Sequence, residues 1–133
     1  MWVIPRIFVN KMLAHAQRTH PRECVGVLTG VGEEVRGWHS LTNVEGDSHR
    51  FLADPAEQIE LFRKMRMQGQ EVVAIYHSHP NGPATPSAYD LEQTNYPEAL
   101  TLIVAMDTEG RLEINGFLLR EGRFEVQELV ICD

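Results

Sequence analysis

Residues 71 to 90 read Glu-Val-Val-Ala-Ile-Tyr-His-Ser-His-Pro-Asn-Gly-Pro-Ala-Thr-Pro-Ser-Ala-Tyr-Asp, and this stretch decides both architecture and chemistry. The unbroken apolar run Val72, Val73, Ala74, Ile75 predicts a strand over 71–77 that is buried on both faces. Two imidazoles lie at its exit. Side chains two apart on an extended segment point to the same side, so His77 and His79 can reach one metal ion without distorting the backbone. After a turn rich in Pro and Gly, Ser87 and Asp90 stand three apart where a helix would begin, which places them on one helical face. Two histidines and one carboxylate leave a vertex of a tetrahedral shell for water, the arrangement of hydrolytic rather than closed structural zinc.

Each of these residues also has an ordinary explanation. Ser87 suits a helix N-cap, Asp90 a solvated helix position, and an isolated His-x-His pair arises by chance. Taken together, however, His77, His79, Pro80, Ser87 and Asp90 have a chance expectation on the order of 1 in 10,000 for a chain of this length.

The string has the form H-S-H-P-x6-S-x2-D, and it resembles the signature of the JAMM metalloproteases, the metal-binding branch of the MPN domain family. The segment Pro-Arg-Glu-Cys-Val-Gly-Val-Leu-Thr-Gly at 21–30 is similar to that family's glutamate-bearing early strand, with Glu23 at the matching position. The resemblance implies a Zn2+ ion held by His77, His79 and Asp90, whose bound water is the nucleophile. It further implies Glu23 as general base and Ser87 as hydrogen-bond donor to the oxyanion. Taken without the resemblance, Glu23 also suits a surface carboxylate at a strand start.

Around this centre the chain predicts a mixed α/β order. Pro5 suits a first helical position, and Phe8, Val9, Met12, Leu13 and Ala16 recur with helical spacing up to Pro21. Residues 22–29 and 33–42 read as strands around a Gly30-Val31-Gly32 turn. Asp54-Pro55-Ala56-Glu57 has the form of a helix start, and Ile59, Phe62 and Met65 share the expected core face up to Gly69. A meander follows: strands over 100–106, 112–119 and 124–131, with turns at 107–110 and 120–123. The class is α/β (α+β), and resemblance to the MPN fold selects a three-layer α/β/α arrangement around a mixed, largely antiparallel sheet. The whole of 1–133 is expected to form one domain.

With 12 basic and 19 acidic residues the net charge is −7, which argues against a nucleic-acid partner. The basic cluster Arg63, Lys64, Arg66 falls at a helix end, where positive charge complements the dipole. No apolar stretch approaches the length of a membrane span, and the first six residues are too short for a signal-peptide core, so the expectation is a cytoplasmic protein. Cys24 and Cys132 are far apart and are expected as free thiols, with Cys24 pointing away from Glu23 into packing. His15, His20, His39 and His49 show no metal-ligand spacing.

The short connections resemble those of stand-alone prokaryotic JAMM enzymes. The implied substrate is a ubiquitin-like or sulfur-carrier protein with a C-terminal Gly-Gly, cut at a peptide or isopeptide bond. Two other readings stay open at this point. One is a non-catalytic MPN scaffold, although such versions lack the ligand set. The other is a RadC-like protein, which the acidic balance and the Glu23 segment disfavour. The sequence also leaves open a homodimer.

Overall fold

The computed structural model describes residues 1–45, 52–80, 82–87, 90, 98–106 and 112–133. The chain runs β1 (Trp2–Pro5), α1 (Arg6–Thr19), β2 (Val25–Val31), β3 (Glu34–Leu41), α2 (Pro55–Met67), β4 (Glu71–His79), β5 (Leu100–Met106), β6 (Leu112–Arg120), β7 (Arg123–Gln127) and β8 (Leu129–Cys132). The strands form one sheet in the order β7-β6-β5-β4-β2-β3-β1-β8. Pairing is parallel for β1 with β3 and β8 and for β4 with β5, and antiparallel elsewhere.

The two helices cover opposite faces of the central strands. On one face, Met12 and Ala16 of α1 pack with Ile4, Leu28, Tyr76, Leu102 and Val104, with Phe8, Val9 and Leu13 half-buried at the margin, as the helical spacing predicts. On the other, Leu61 of α2 packs with Val25, Val27 and Leu41, and Phe62, Val72 and Ile75 lie against them. This is the expected α/β/α layering, and it explains why β4 is apolar without alternation. No helix among the described residues is long and apolar enough to cross a membrane.

Three local expectations are corrected. Ile59 is 71% exposed, and the buried residue of α2 is Leu61. The reason is a tether. Glu57 accepts hydrogen bonds from the Thr42 N–H and hydroxyl at the end of β3, and Leu61, four residues on, shares that side of the helix. The capping residue is as expected: Asp54 accepts from the Ala56 and Glu57 N–H groups at 2.9 and 3.3 Å.

The second correction is at the N-terminus, where residues 2–5 form a strand pairing in parallel with β8, and the helix begins at Arg6. The third concerns the expected last strand, which divides at Glu128. Its first part pairs with β6 and its second with β1, at opposite edges of the sheet. The sheet therefore curls until its edges face each other, and the Trp2 indole N–H donates to Gln127 Oε1 at 3.4 Å. The turn at 120–123 is as expected, with Glu121 and Gly122 both at positive φ. The expected turn at 107–110, Asn81 and His49 lie outside the described residues.

Candidate metal centre

β4 lies between β2 and β5, and His77 is opposite Val25 on one side and Ile103 on the other. It is 2% exposed. His79, two residues on, projects from the same face, and the two Nε2 atoms lie 3.2 Å apart. Both histidines are inside the strand, which extends two residues beyond the expected end.

The turn after β4 brings the carboxylate back. Ala84 is buried against Ile103, Ala105 and Phe117, and the Asn115 side-chain amide donates to its carbonyl at 3.0 Å. The neighbouring Pro83 carbonyl is thereby held beside His79, whose Nδ1 lies 2.9 Å from it. A proton on Nδ1 makes that hydrogen bond and leaves Nε2 facing inward as a lone-pair donor. Asp90 completes the cluster, with Oδ1 2.9 Å from His77 Nε2 and Oδ2 3.1 Å from His79 Nε2.

Ser87 and Asp90 form the reciprocal pair of a capping box. The Ser87 N–H donates to Asp90 Oδ2 at 2.8 Å, and the Asp90 N–H donates to Ser87 Oγ at 3.2 Å. Ser87 Oγ acts in this pair as an acceptor, so the hydroxyl keeps its own proton to donate elsewhere. Asp90 is buried rather than solvated, at 4% exposure.

Glu23 sits just before β2 and is 3% exposed, so it is not a surface carboxylate. One of its oxygens and one ring nitrogen from each of His77 and His79 lie within 4.8 Å of one another. Cys24 points the other way, into the α1 side of the core. Its N–H donates to Ser78 Oγ at 2.8 Å, and its carbonyl accepts from the Ser78 N–H at 3.1 Å. Ser78, between the two histidines, thus fastens the Glu23 segment to β4.

The electrostatics follow from burial and contact. Burial by itself would raise the Asp90 carboxyl, but hydrogen bonds with His77 and His79 and the Ser87 N–H hold it far below the usual carboxylate range. Burial pushes His77 down despite Asp90. His79 is also disfavoured as a cation by burial, yet Asp90 and the Pro83 carbonyl outweigh this and raise it.

Two inward-facing imidazole nitrogens and a carboxylate lie 2.9 to 3.2 Å from one another. Bonds of 2.0–2.1 Å in a tetrahedral shell require ligand separations of about 3.3 Å, so the trio suits zinc with little movement. The sequence pattern pointed to His77, His79, Ser87 and Asp90, and the fold brings all four together. It missed the supports: Ser78, Pro83, Ala84 and Asn115, with Asn43, whose Nδ2 donates to the Glu23 carbonyl at 2.8 Å. These act through backbone atoms or from distant strands. Only the polar residue between the histidines carried a local hint.

Comparison with known proteins identifies the family. A family model described as prokaryotic homologs of the JAB domain matches residues 5–115. The chain is 34% identical over 122 residues to the CysO-cysteine peptidase of Mycobacterium tuberculosis, covering 90% of this chain and 84% of that protein. It is 34% identical over 121 residues to a probable TtuB-protein conjugate cleaving protease of Thermus thermophilus, covering 90% and 77%. In fold it is similar to AF2198, a JAB1/MPN domain protein from Archaeoglobus fulgidus, with a TM-score of 0.67 at 21% identity and 100% of each chain covered. Matched over most of its length and carrying the full JAMM string, the chain belongs to the prokaryotic JAB-domain family, the JAMM type of metallopeptidase.

Proposed function

We propose that the protein hydrolyses a peptide or isopeptide bond at the C-terminal Gly-Gly tail of a ubiquitin-like or sulfur-carrier protein. His77, His79 and Asp90 would hold one zinc ion, with Glu23 outside the ligand set. The observation that carries this reading is the 2.9–3.2 Å triangle of donor atoms beside the buried Glu23 carboxylate. The relatives supply the substrate class, since their names describe peptidases and conjugate-cleaving proteases.

When bound, zinc supplies Lewis acidity that polarises the scissile carbonyl and makes water nucleophilic near neutral pH. The Glu23 carboxylate accepts the proton of the attacking water and passes it to the departing amine, a role worth roughly 100- to 10,000-fold in rate. The Ser87 hydroxyl donates a hydrogen bond to the oxygen that becomes negative in the transition state. Pro83 and the Ser87 N–H keep His79 and Asp90 oriented, as outer partners of metal ligands do. Neither Cys24 nor any other nucleophilic side chain is required. A scaffold that only binds gains nothing from a buried histidine–carboxylate cluster with an acid beside it.

The test is incubation of zinc-loaded protein with a small ubiquitin-like carrier extended past its Gly-Gly, read by mass spectrometry. Release of the extension is expected; chelation should stop it, and Glu23→Gln should slow it roughly 100- to 10,000-fold. Asp90→Asn should lose stoichiometric zinc whereas Glu23→Gln keeps it. Loss of zinc in Glu23→Gln with retention in Asp90→Asn would reverse the two assignments. Failure of the zinc-loaded protein to cut any of several such carriers would overturn the substrate class.

A further inference from the structure

The Glu23 segment is held from its second side by a buried side chain outside the proposed site. Asn43, two residues past the end of β3, is 7% exposed. Its Nδ2 donates to the Glu23 carbonyl at 2.8 Å, while its Oδ1 accepts from the Glu45 N–H at 3.0 Å and the Leu52 N–H at 2.9 Å. The orientation of the amide is fixed by these partners: two N–H groups face one end and a carbonyl faces the other. Arg22 closes the link in the opposite direction, its guanidinium donating to the Asn43 and Glu45 carbonyls at 2.8 and 2.9 Å.

We infer that Asn43 is the positioning residue for Glu23, fixing the backbone from which that carboxylate reaches the histidines. The inference rests on the reading of Glu23 as the general base. Three main-chain groups on the C-terminal side of Glu23 Cα are tied to neighbouring segments. The Cys24 N–H and carbonyl are tied to Ser78, and the Glu23 carbonyl is tied to Asn43. The Glu23 carbonyl and the Cys24 N–H are the two ends of one planar peptide, so Asn43 on one side and Ser78 Oγ on the other fix its rotation together. A proton-transfer group must lie within about 2.6–3.2 Å of the proton's heavy atom, so a small rotation at this peptide is enough to misplace the carboxylate. Asn43 meets residues 45 and 52 as well, so the same amide couples the chain on both sides of 46–51 to the base.

Asn43→Asp tests this, because it keeps size and one accepting oxygen but replaces the N–H donor to the Glu23 carbonyl. The expected result is a 10- to 100-fold fall in kcat with KM within twofold, zinc stoichiometry unchanged, and no further loss when the change is made in the Glu23→Gln background. If Asn43→Asp does not fold, Asn43→Ser is measured the same way. An Asn43 variant with parental kcat beside a Glu23→Gln variant slowed as expected overturns the inference alone. The same fold-loss in the parent and in Glu23→Gln also overturns it, since the effect then bypasses Glu23. Parental activity in Glu23→Gln itself removes the general-base assignment and the inference with it.

Discussion

The Pro83 carbonyl and the His79 ring meet at 2.9 Å through Nδ1, so a backbone atom of the turn decides which nitrogen of the second histidine faces inward. Around that contact the turn, the capping pair and the strand behave as one unit, and their removal has separable consequences.

Ser87→Ala takes away the cap of the Asp90 N–H and the hydroxyl proposed for the oxyanion. Loss of such a cap costs about 1 kcal/mol of stability. Zinc affinity should change by less than about 10-fold, because the group that orients the Asp90 carboxylate is the Ser87 N–H, which the variant keeps. A fall in kcat of about 100-fold is expected from the lost oxyanion donor. Competition with a chromophoric chelator and steady-state kinetics separate the two effects.

Stripping zinc should lower the unfolding temperature, and returning it at 100-fold above Kd should restore about 2.7 kcal/mol. For a chain of 133 residues this corresponds to roughly 10 °C. Calorimetry with and without chelator reads the difference, and His77→Ala should abolish it.

Gly26 lies opposite Tyr76 in the β2–β4 ladder, and a Cβ there would overlap the Tyr76 ring. That ring cannot swing aside easily. Its hydroxyl accepts from the Trp38 indole N–H at 2.9 Å and donates to His15 Nδ1 at 2.7 Å. Gly26→Ala should therefore destabilise by about 1–3 kcal/mol, measured by urea titration, and disturb the strand next to His77.

Burial pushes the Cys24 thiol up to about 11. The unfolded chain ionises that thiol from about pH 9, so its contribution is intact below this and is lost as pH rises towards 11, by about 3 kcal/mol. Tyr76, also raised by burial, adds to the alkaline loss at higher pH. Stability measured from pH 8 to 11 should fall more steeply in the parent than in Cys24→Ala. Alkylation of Cys24 at pH 8 should wait on unfolding.

The ligand string was readable because strand and capping periods are local: His77 and His79 are two apart, Ser87 and Asp90 three apart. Glu23 was different. Nothing in its own neighbourhood marks it, and only likeness to a family singled it out. The α1 face was legible from spacing, whereas the α2 face was legible in part: Phe62 packs on the core and Met65 is half-buried, but Ile59 is exposed and Leu61 takes the buried place on the side of the Glu57 to Thr42 tether, where tertiary contact overrides periodicity. The division at Glu128 is silent too, since the apolar pattern from Phe124 to Ile131 continues through it without Gly or Pro. β1 has four residues and a partner at the far end of the chain, so no short-range signal could reveal it.

That division at Glu128 has a consequence for handling the protein at high concentration. The strands flanking this single residue, five and four residues long, are the terminal members of the sheet order. Open backbone donors along the rim are correspondingly few, and short rims are poor templates for fibrils or stacked aggregates. Changes that lengthen either rim strand, or that straighten the chain between them, are the ones to avoid when engineering the molecule for solubility.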